Sequence, residues 1–513
     1  MSSKVQSAVT LIFSWTEHPF AHISVAAIFL VFIYHVKSQS QDFPYLNPKK
    51  RFALTASAVR KEFMTSSRTI LSKGRFQYPD TPCMVNSEWG EVLVLPPHLI
   101  NELRNDPRLD YLRVTQDDSH AYIPGFEPSN SDPKLSAVIT RHLTKVLAKL
   151  TKPISDETTL ALQQSFTDSQ VWHEISLATY IPNLISRLSS RVFMGEALSR
   201  NESWVQASAR YAAQNFASGD DLRAWSRPVR PLVHWFLPSC RETRRQLAET
   251  RGVLEPLIKE RESNRRDALA RGENLIDDDH CLEWFEQELD DGYDPATALI
   301  TLSMVAIHTT SDLLQATMLN IARHPELFKP LREEIISVLQ THGLTKQGLY
   351  DLKLLDSTLK ESQRLKPVML VTWRRAALEE VKVSTGLTIR KGQRIAVSNA
   401  HMWDSAYYHN PDRFDPYRFL RMREIPAEQS LSQLVTTSEK HLGFGHGNHA
   451  CPGRFFAANE LKIALCHLLL KYDWKLPDDH EPQPISHGMT LGLDPNAMLL
   501  VRRRKEEINL DSL

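Results

Sequence analysis

The strongest hydrophobic signal is an apolar run from Phe20 to Val36, FAHISVAAIFLVFIYHV, which holds no Lys, Arg, Asp or Glu. As a helix at about 1.5 Å per residue it would be roughly 26 Å long, short of an average ~30 Å hydrocarbon core but close to a thinner endoplasmic reticulum bilayer. Lys37, Lys49, Lys50 and Arg51 follow it and Lys4 alone precedes it, which puts the bulk of the chain on the cytoplasmic side. No small-residue cleavage site follows, so a retained anchor is favoured over a removed leader. A buried core helix would have the same composition, but the terminal position and the hinge DFPYLNPKK argue against it. The pattern divides the chain into a lumenal N-terminus at 1–19, a transmembrane anchor at 20–36, a Pro-containing basic hinge at 37–51 and a cytoplasmic domain at 52–513.

Behind the hinge, apolar residues three and four apart predict helices over Ala137 to Leu150, Ile181 to Phe193 and Ala457 to Leu470. Strand-like alternation is short and concentrated in VKVSTGLTIRKGQRIAV, Val381 to Val397, around turn signals at Gly386 and Gly392. One helix is longer, starting at Asp294 and Pro295 and stopped by Pro325; at roughly 30 residues it would run about 45 Å. Its middle, AIHTTS at 306–311, interrupts the apolar stretch with small and hydroxyl residues. Either these hydroxyls bond back to carbonyls one turn earlier inside a buried helix, or they loosen it to make room for a ligand. The whole reads as mainly α with a smaller β portion.

Composition narrows the function. With 513 residues, 42% hydrophobic, and no linker, low-complexity tract or repeat after the first fifty, one large helical domain fits better than the roughly three that length alone suggests. Sixty-one basic and 61 acidic residues leave no charge surplus, and no Lys/Arg block is long enough to follow phosphates, so nucleic acid is excluded as a partner. The five scattered cysteines, Cys83, Cys240, Cys281, Cys451 and Cys466, form no CxxC pair and read as separate thiols in a reducing compartment.

The richest stretch is HLGFGHGNHACPGRFFAANELK, His441 to Lys462. Gly443, Gly445 and Gly447 let the backbone turn tightly against a flat ligand, and the helix that follows offers unpaired N–H groups to the Cys451 sulfur. Such a site favours thiolate, which could be a nucleophile, a redox switch or a metal ligand. His446 and His449 lie near in sequence, but no motif supports either as the base a nucleophile needs.

Residues 444–453 resemble the haem-binding loop of the cytochrome P-450 family, FxxGxRxCxG, through Phe444, Gly447, Cys451 and Gly453. His449 stands where the family usually carries an arginine for a haem propionate. Two further motifs come in the family's order. KESQR supplies Glu361 and Arg364 on one helix face before Pro367, and FDPYRF supplies Arg418, with Tyr417 where Glu is frequent. Alone, KESQR would read as a solvated charge pair; the resemblance implies a buried Glu361–Arg364–Arg418 network that holds the haem loop. AIHTTS resembles the family's oxygen-activation segment, with Thr310 at the threonine that steers protons, Thr309 at the acidic position and Ile307 replacing Gly. Arg374, ten residues beyond Arg364, falls at a propionate-binding position, and Arg375 is the neighbouring alternative. The likeness spans nearly the whole chain and is closest to fungal secondary-metabolite monooxygenases of the dihydromonacolin hydroxylase and ent-kaurene oxidase type: LYDLKLLDSTLKESQRLKP, LVHW, FDPYRFLRMRE, HACPGRFFA and AIHTTS all read like them.

The resemblance implies a cytochrome P-450 fold and haem b with Cys451 as axial iron ligand. It also implies electrons from NADPH through a separate reductase, dioxygen as co-substrate, and C–H oxidation of a hydrophobic terpenoid, meroterpenoid or polyketide at the endoplasmic reticulum membrane. Val305, Ala306 and Thr309, Leu370 to Thr372, and Met489 to Leu491 are the expected pocket residues. Two other classes share the Cys451 loop: a haem-thiolate isomerase or dehydratase needing no reductase, and a non-enzymatic haem-binding protein.

Overall fold

The long central helix begins where the sequence places it. Asp294 accepts the Ala296 amide at 3.2 Å, Pro295 fills the first turn, and the helix runs unbroken from Pro295 to Arg323. The computed structural model describes residues 43–50, 52–53, 55–130, 132–272, 281–289 and 292–512. The anchor at 20–36 and residues 37–42 of the hinge lie outside the described residues.

The helices that build the site are α1 (Ser57–Gln77), α2 (Pro133–Ser165), α3 (Leu177–Phe193), α4 (Glu202–Arg223), α5 (Pro295–Arg323), α6 (Lys353–Leu365) and α7 (Arg454–Lys471). The three helices read from apolar spacing are present, the first as part of a helix that continues to Ser165 through Pro153. α5 packs against α3, α4, α6 and α7. Their inner faces join one core containing Leu143, Leu184, Leu188, Leu299, Leu314 and Leu465, all at most 2% exposed. Among the described residues α5 alone is long and apolar enough to cross a membrane, and more than half of its apolar stretch is buried inside the fold. It is a core helix.

The strands, in chain order, are β1 (Cys83–Ser87), β2 (Gly90–Leu95), β3 (Leu109–Asp110), β4 (His173–Ser176), β5 (Val371–Ala377), β6 (Val381–Lys382), β7 (Thr388–Ile389), β8 (Arg394–Ser398), β9 (Tyr472–Lys475), β10 (Ile485–His487), β11 (Thr490–Gly492) and β12 (Met498–Arg503). A five-stranded sheet runs β1-β2-β8-β5-β3, with β2 and β8 parallel and the other pairs antiparallel. β4, β12 and β9 form a three-stranded sheet, and β6–β7 and β10–β11 are hairpins. Alternation between Val381 and Val397 marks β6 to β8, where Gly386 and Gly392 take φ of +85° and +80° at the turns. The other strands are short; β1–β2 and β10–β11 pair locally, whereas β3, β4, β9 and β12 find partners in distant segments.

The register of β5 on β8 slips between Thr372 and Arg375. Trp373, inside that bulge, takes φ +48°, a conformation a bulky side chain rarely adopts. A bulge inserts one residue into the two-residue alternation, so side chains beyond it change face.

Candidate active site

Cys451 is presented by a tight loop at the start of α7. Its amide donates to the Phe444 carbonyl at 2.9 Å, and Arg454 Nη1 donates to the Cys451 carbonyl at 2.9 Å. Gly447, at φ +79°, opens a short 3₁₀ turn, and a Cβ there would meet Arg104 Cβ at 2.8 Å and the Arg104 carbonyl at 3.0 Å, so only glycine fits. Burial pushes the Cys451 thiol up, while the amides of Gly453 and Arg454 and the Arg454 charge pull it back toward thiolate. His446 is not a base for this sulfur: it is tied to Arg104 Nη1 at 2.8 Å and Thr437 Oγ1 at 3.1 Å.

The motif KESQR is wholly buried. Glu361 and Arg364 are 0% exposed and Arg418 is 7%. Arg364 Nε and Nη2 each donate to the Glu361 carboxylate at 2.8 Å, and Arg418 Nε reaches both carboxylate oxygens at 3.1 and 3.0 Å. The rest of both guanidiniums binds carbonyls: Arg364 that of Met402 at 2.5 Å, Arg418 those of His409 at 2.6 Å and Arg413 at 3.2 Å. Tyr417, at the place where Glu is frequent, is a partly buried ring on the core. The neighbouring Lys360, 1% exposed, spends its three donors on the carbonyls of Leu431, Gln433 and Thr436 at 2.7, 2.6 and 3.2 Å. That ammonium was not legible as functional in sequence. Together these side chains hold residues 402–436 in place.

The two candidate arginines of β5 face opposite ways. Arg374 Nη1 binds Asp118 Oδ2 at 2.7 Å and its guanidinium covers Trp89, away from the Cys451 loop. Arg375 is 2% exposed, lies over Tyr111 at 5.1 Å, and leaves Nη2 buried with no hydrogen-bond partner among the described residues. His449 stacks on the same Tyr111 ring at 5.0 Å. Burial, then the nearby Arg375 charge, lower the His449 pKa, and burial brings Arg375 itself down to about 10. Adjacent residues of a strand point to opposite faces, and of the two it is Arg375 whose charge lies near His449 of the Cys451 loop. Tyr111, which joins the two, carried no sequence signal.

On α5, Thr309 Oγ1 donates back to the Val305 carbonyl at 3.0 Å, whereas the Thr310 hydroxyl, 4% exposed, makes no hydrogen bond among the described residues. Simple back-bonding therefore describes Thr309 and not Thr310. Val305 and Thr309, one turn apart, are exposed. His308 packs on Phe216 of α4 with ring centroids 4.4 Å apart, and burial lowers its pKa. The acid that this helix lacks at position 309 appears one turn past His308: Asp312 is buried and paired with Lys366. The pocket segments 370–372 and 489–491 come together, with the Leu370 amide on the Met489 carbonyl and the Leu491 amide on the Val368 carbonyl, both at 2.8 Å. Val371 and Met489 themselves join an apolar cluster with Phe63 of α1.

A flat, anionic macrocycle bearing a thiolate-bound metal fits these residues: a sulfur with two amides aimed at it, a loop whose Gly443 and Gly447 pack closely against Gln363 and Arg104, and a buried Arg375 nitrogen without a partner among the described residues.

The family model for cytochrome P450 matches residues 134–501. The chain is 48% identical over 504 residues to the cytochrome P450 monooxygenase eqxH of Fusarium heterosporum, covering 97% of this chain and 98% of that protein. It is 40% identical to the monooxygenase hepE of Aspergillus oryzae, covering 95% and 91%, and 39% identical to the monooxygenase TRI1 of Fusarium sporotrichioides, covering 90% and 85%. Among solved structures, a retinoic acid-bound cyanobacterial member, CYP120A1, superposes with a TM-score of 0.63 over 86% of this chain and 97% of its own at 17% identity, which speaks for the fold. With a family model matched over residues 134–501 and relatives 39–48% identical over most of their length, this chain belongs to the cytochrome P450 family and is a monooxygenase akin to the fungal secondary-metabolite members.

Proposed function

We propose that this chain oxidises a hydrophobic terpenoid, meroterpenoid or polyketide in a fungal biosynthetic pathway, with C–H hydroxylation as the first outcome and repeated oxidation open to the same residues. The observation that carries the reading is the sulfur of half-buried Cys451, carried by a glycine-rich loop, with the Gly453 and Arg454 amides directed at it. Thiolate-bound haem iron, when present, supplies dioxygen activation. Cys451 would hold the group through its sulfur, and Arg375 and His449 would hold its carboxylates. Phe444, Gly447 and Gly453 shape the loop, and Glu361, Arg364 and Arg418 fix it. The free Thr310 hydroxyl holds and passes protons at Oγ1, while Thr309, bonded to Val305, contributes a fixed dipole. Aliphatic Val305 and Leu370 favour an apolar guest.

Electrons come from NADPH through a separate reductase. The protein sits at the endoplasmic reticulum membrane by residues 20–36, its domain at 52–513 facing the cytoplasm. Exposed Leu232, Trp235 and Phe236 add a second apolar contact to that surface. The test is the reduced carbon monoxide spectrum of wild type and Cys451→Ala, then co-expression with a reductase and untargeted metabolite comparison. Retention of the thiolate-type spectrum in Cys451→Ala refutes the ligand; product formation without NADPH and reductase refutes the monooxygenase in favour of an isomerase.

A further inference from the structure

Apart from the Cys451 loop, the structure has a cavity of about 310 Å³ whose walls carry five arginines, Arg60, Arg223, Arg227, Arg230 and Arg394. They come from three parts of the chain: α1, the stretch from the last residue of α4 through the turns just after it, and the first residue of β8. The opposing carboxylates in the wall are Glu88, Asp117 and Asp118.

Pairing does not exhaust the positive charge. Asp117 binds Arg227 and, at 2.9 Å, Arg394 Nη1; Asp118 binds Arg394 and Arg374. Arg223 is taken by Asp220, which also holds His487 Nε2 at 2.9 Å. Arg60 and Arg230 have no carboxylate among the described residues. Arg230 is 9% exposed, and the one bond of its Nε goes to the Trp225 carbonyl at 3.0 Å. The Nε atoms of Arg60, Arg223 and Arg394 are buried without partners. Glu88 does not cancel this surplus: its Oε1 accepts the Met489 amide at 2.7 Å, burial raises its pKa while the Met489 amide and the Arg223 charge lower it, and even fully ionised it leaves five arginines facing three carboxylates in the wall. His120, pushed down to about 3 chiefly by burial, adds no charge. Guanidinium groups are costly to bury unpaired, so a cavity of this kind is completed by an anion.

The cavity also adjoins the substrate region. Met489, held by Glu88, hands its carbonyl to the Leu370 amide at 2.8 Å. Arg223 lies seven residues beyond Phe216 on α4, about 10 Å along the helix, and Phe216 packs on His308, the neighbour of Thr309. A molecule with its anionic end in the cavity would therefore have its apolar body directed along α4 toward α5.

Building on the monooxygenase reading, we propose that this arginine cavity binds the oxyanion of an acidic substrate, a carboxylate or an acidic enol, with Arg60 and Arg230 as its principal partners. The substrate is then an amphipathic acid, bound by its polar end and oxidised at its apolar end.

The test uses purified holoenzyme with dodecanoate and methyl dodecanoate as probes, bound by equilibrium dialysis. Dodecanoate binds about ten-fold more tightly than the ester, and Arg60→Met with Arg230→Met removes that preference while leaving ester binding as it was. The single change Arg60→Gln, at a half-buried position on α1, gives part of the same loss should the double variant fold poorly. The reduced carbon monoxide spectrum stays thiolate-type in every variant, which keeps the outcome separate from the haem assignment. Equal binding of acid and ester, including no binding of either, overturns the proposal, as does an acid preference that survives the substitutions. Sedimentation with phosphatidylcholine vesicles with and without phosphatidylserine is the third arm. Loss of phosphatidylserine-dependent binding in the arginine variants, without an acid preference in the wild type, assigns the cavity to lipid head groups and overturns it too.

Discussion

Glu361→Gln removes a charge and almost nothing else. In the folded protein that carboxylate takes four guanidinium N–H contacts between 2.8 and 3.1 Å and the Asp415 amide at 3.1 Å, with no exposed surface. A neutral amide leaves Arg364 and Arg418 buried with two positive charges and no anion, and breaking a buried pair in this way costs about 3–5 kcal/mol. That is roughly two to four powers of ten in the folding equilibrium, against a total stability on the order of 5–15 kcal/mol. Holoprotein yield, read as the thiolate-type carbon monoxide signal per milligram, and the thermal midpoint of the haem band should both fall steeply. The control is Glu242→Gln. Glu242 and Arg245 have the same i, i+3 spacing as Glu361 and Arg364 but are exposed, and they should lose nothing measurable. Wild-type haem content and midpoint in Glu361→Gln would refute the claim that burial, and not spacing, gives this pair its weight.

The contacts of the two β5 arginines predict that Arg375→Met speeds haem transfer to apomyoglobin about ten-fold while Arg374→Met leaves it unchanged; the opposite ranking would favour Arg374. Thr310→Ala should keep haem bound and divert electrons to peroxide, whereas Thr309→Val, which loses only a hydroxyl already bonded to Val305, should stay better coupled; a fully coupled Thr310→Ala would remove that hydroxyl from the reaction. Burial holds His120, His401 and His467 at about 3, 4 and 3. The unfolded chain takes up these protons near pH 6.5 and the folded chain does not, so stability is full above 6.5 and falls as acid carries the solution toward 4. Each histidine contributes a slope of about 1.4 kcal/mol per pH unit. In urea midpoints against pH, His467→Gln should reduce the slope in that window, and an unchanged slope would show His467 titrating normally.

What the sequence conveyed well was anything carried by local spacing. The 3.6-residue period found α3, α5 and α7, the Asp294–Pro295 start was placed to the residue, and the glycines around Cys451 announced a tight loop. Failures came where geometry is set at a distance. Apolar alternation could not find β1, β2 or β4, because each is four to six residues long; β1 and β2 form a hairpin whose strands are buried at most positions and so do not alternate, and β4 gets its partner β12 from the far end of the chain. Counting along β5 left Arg374 and Arg375 as neighbouring alternatives, and only the fold shows the first on Asp118 and the second on Tyr111. Asp312 stood in plain view next to AIHTTS, yet only the fold shows it buried against Lys366. KESQR looked like a surface pair by itself, and only its company with FDPYRF and the Cys451 loop marked it as interior.

Helix α6 is polar by composition and yet nearly all of it lies inside, with Asp356, Lys360, Glu361 and Arg364 each at most 4% exposed. Its side chains, more than any ladder of strands, bind residues 402–436: Arg364 the Met402 carbonyl, Lys360 the three carbonyls between 431 and 436, Asp356 the Leu434 amide at 3.0 Å and Arg423. Local opening of such a segment is set by its anchors, not by its own backbone pairing. The whole stretch should therefore exchange its amide hydrogens as one unit, protected in the native protein and released together when any one of these four side chains is cut away. A segment that looks like coil would behave, in a deuterium experiment, as an appendage of a single helix.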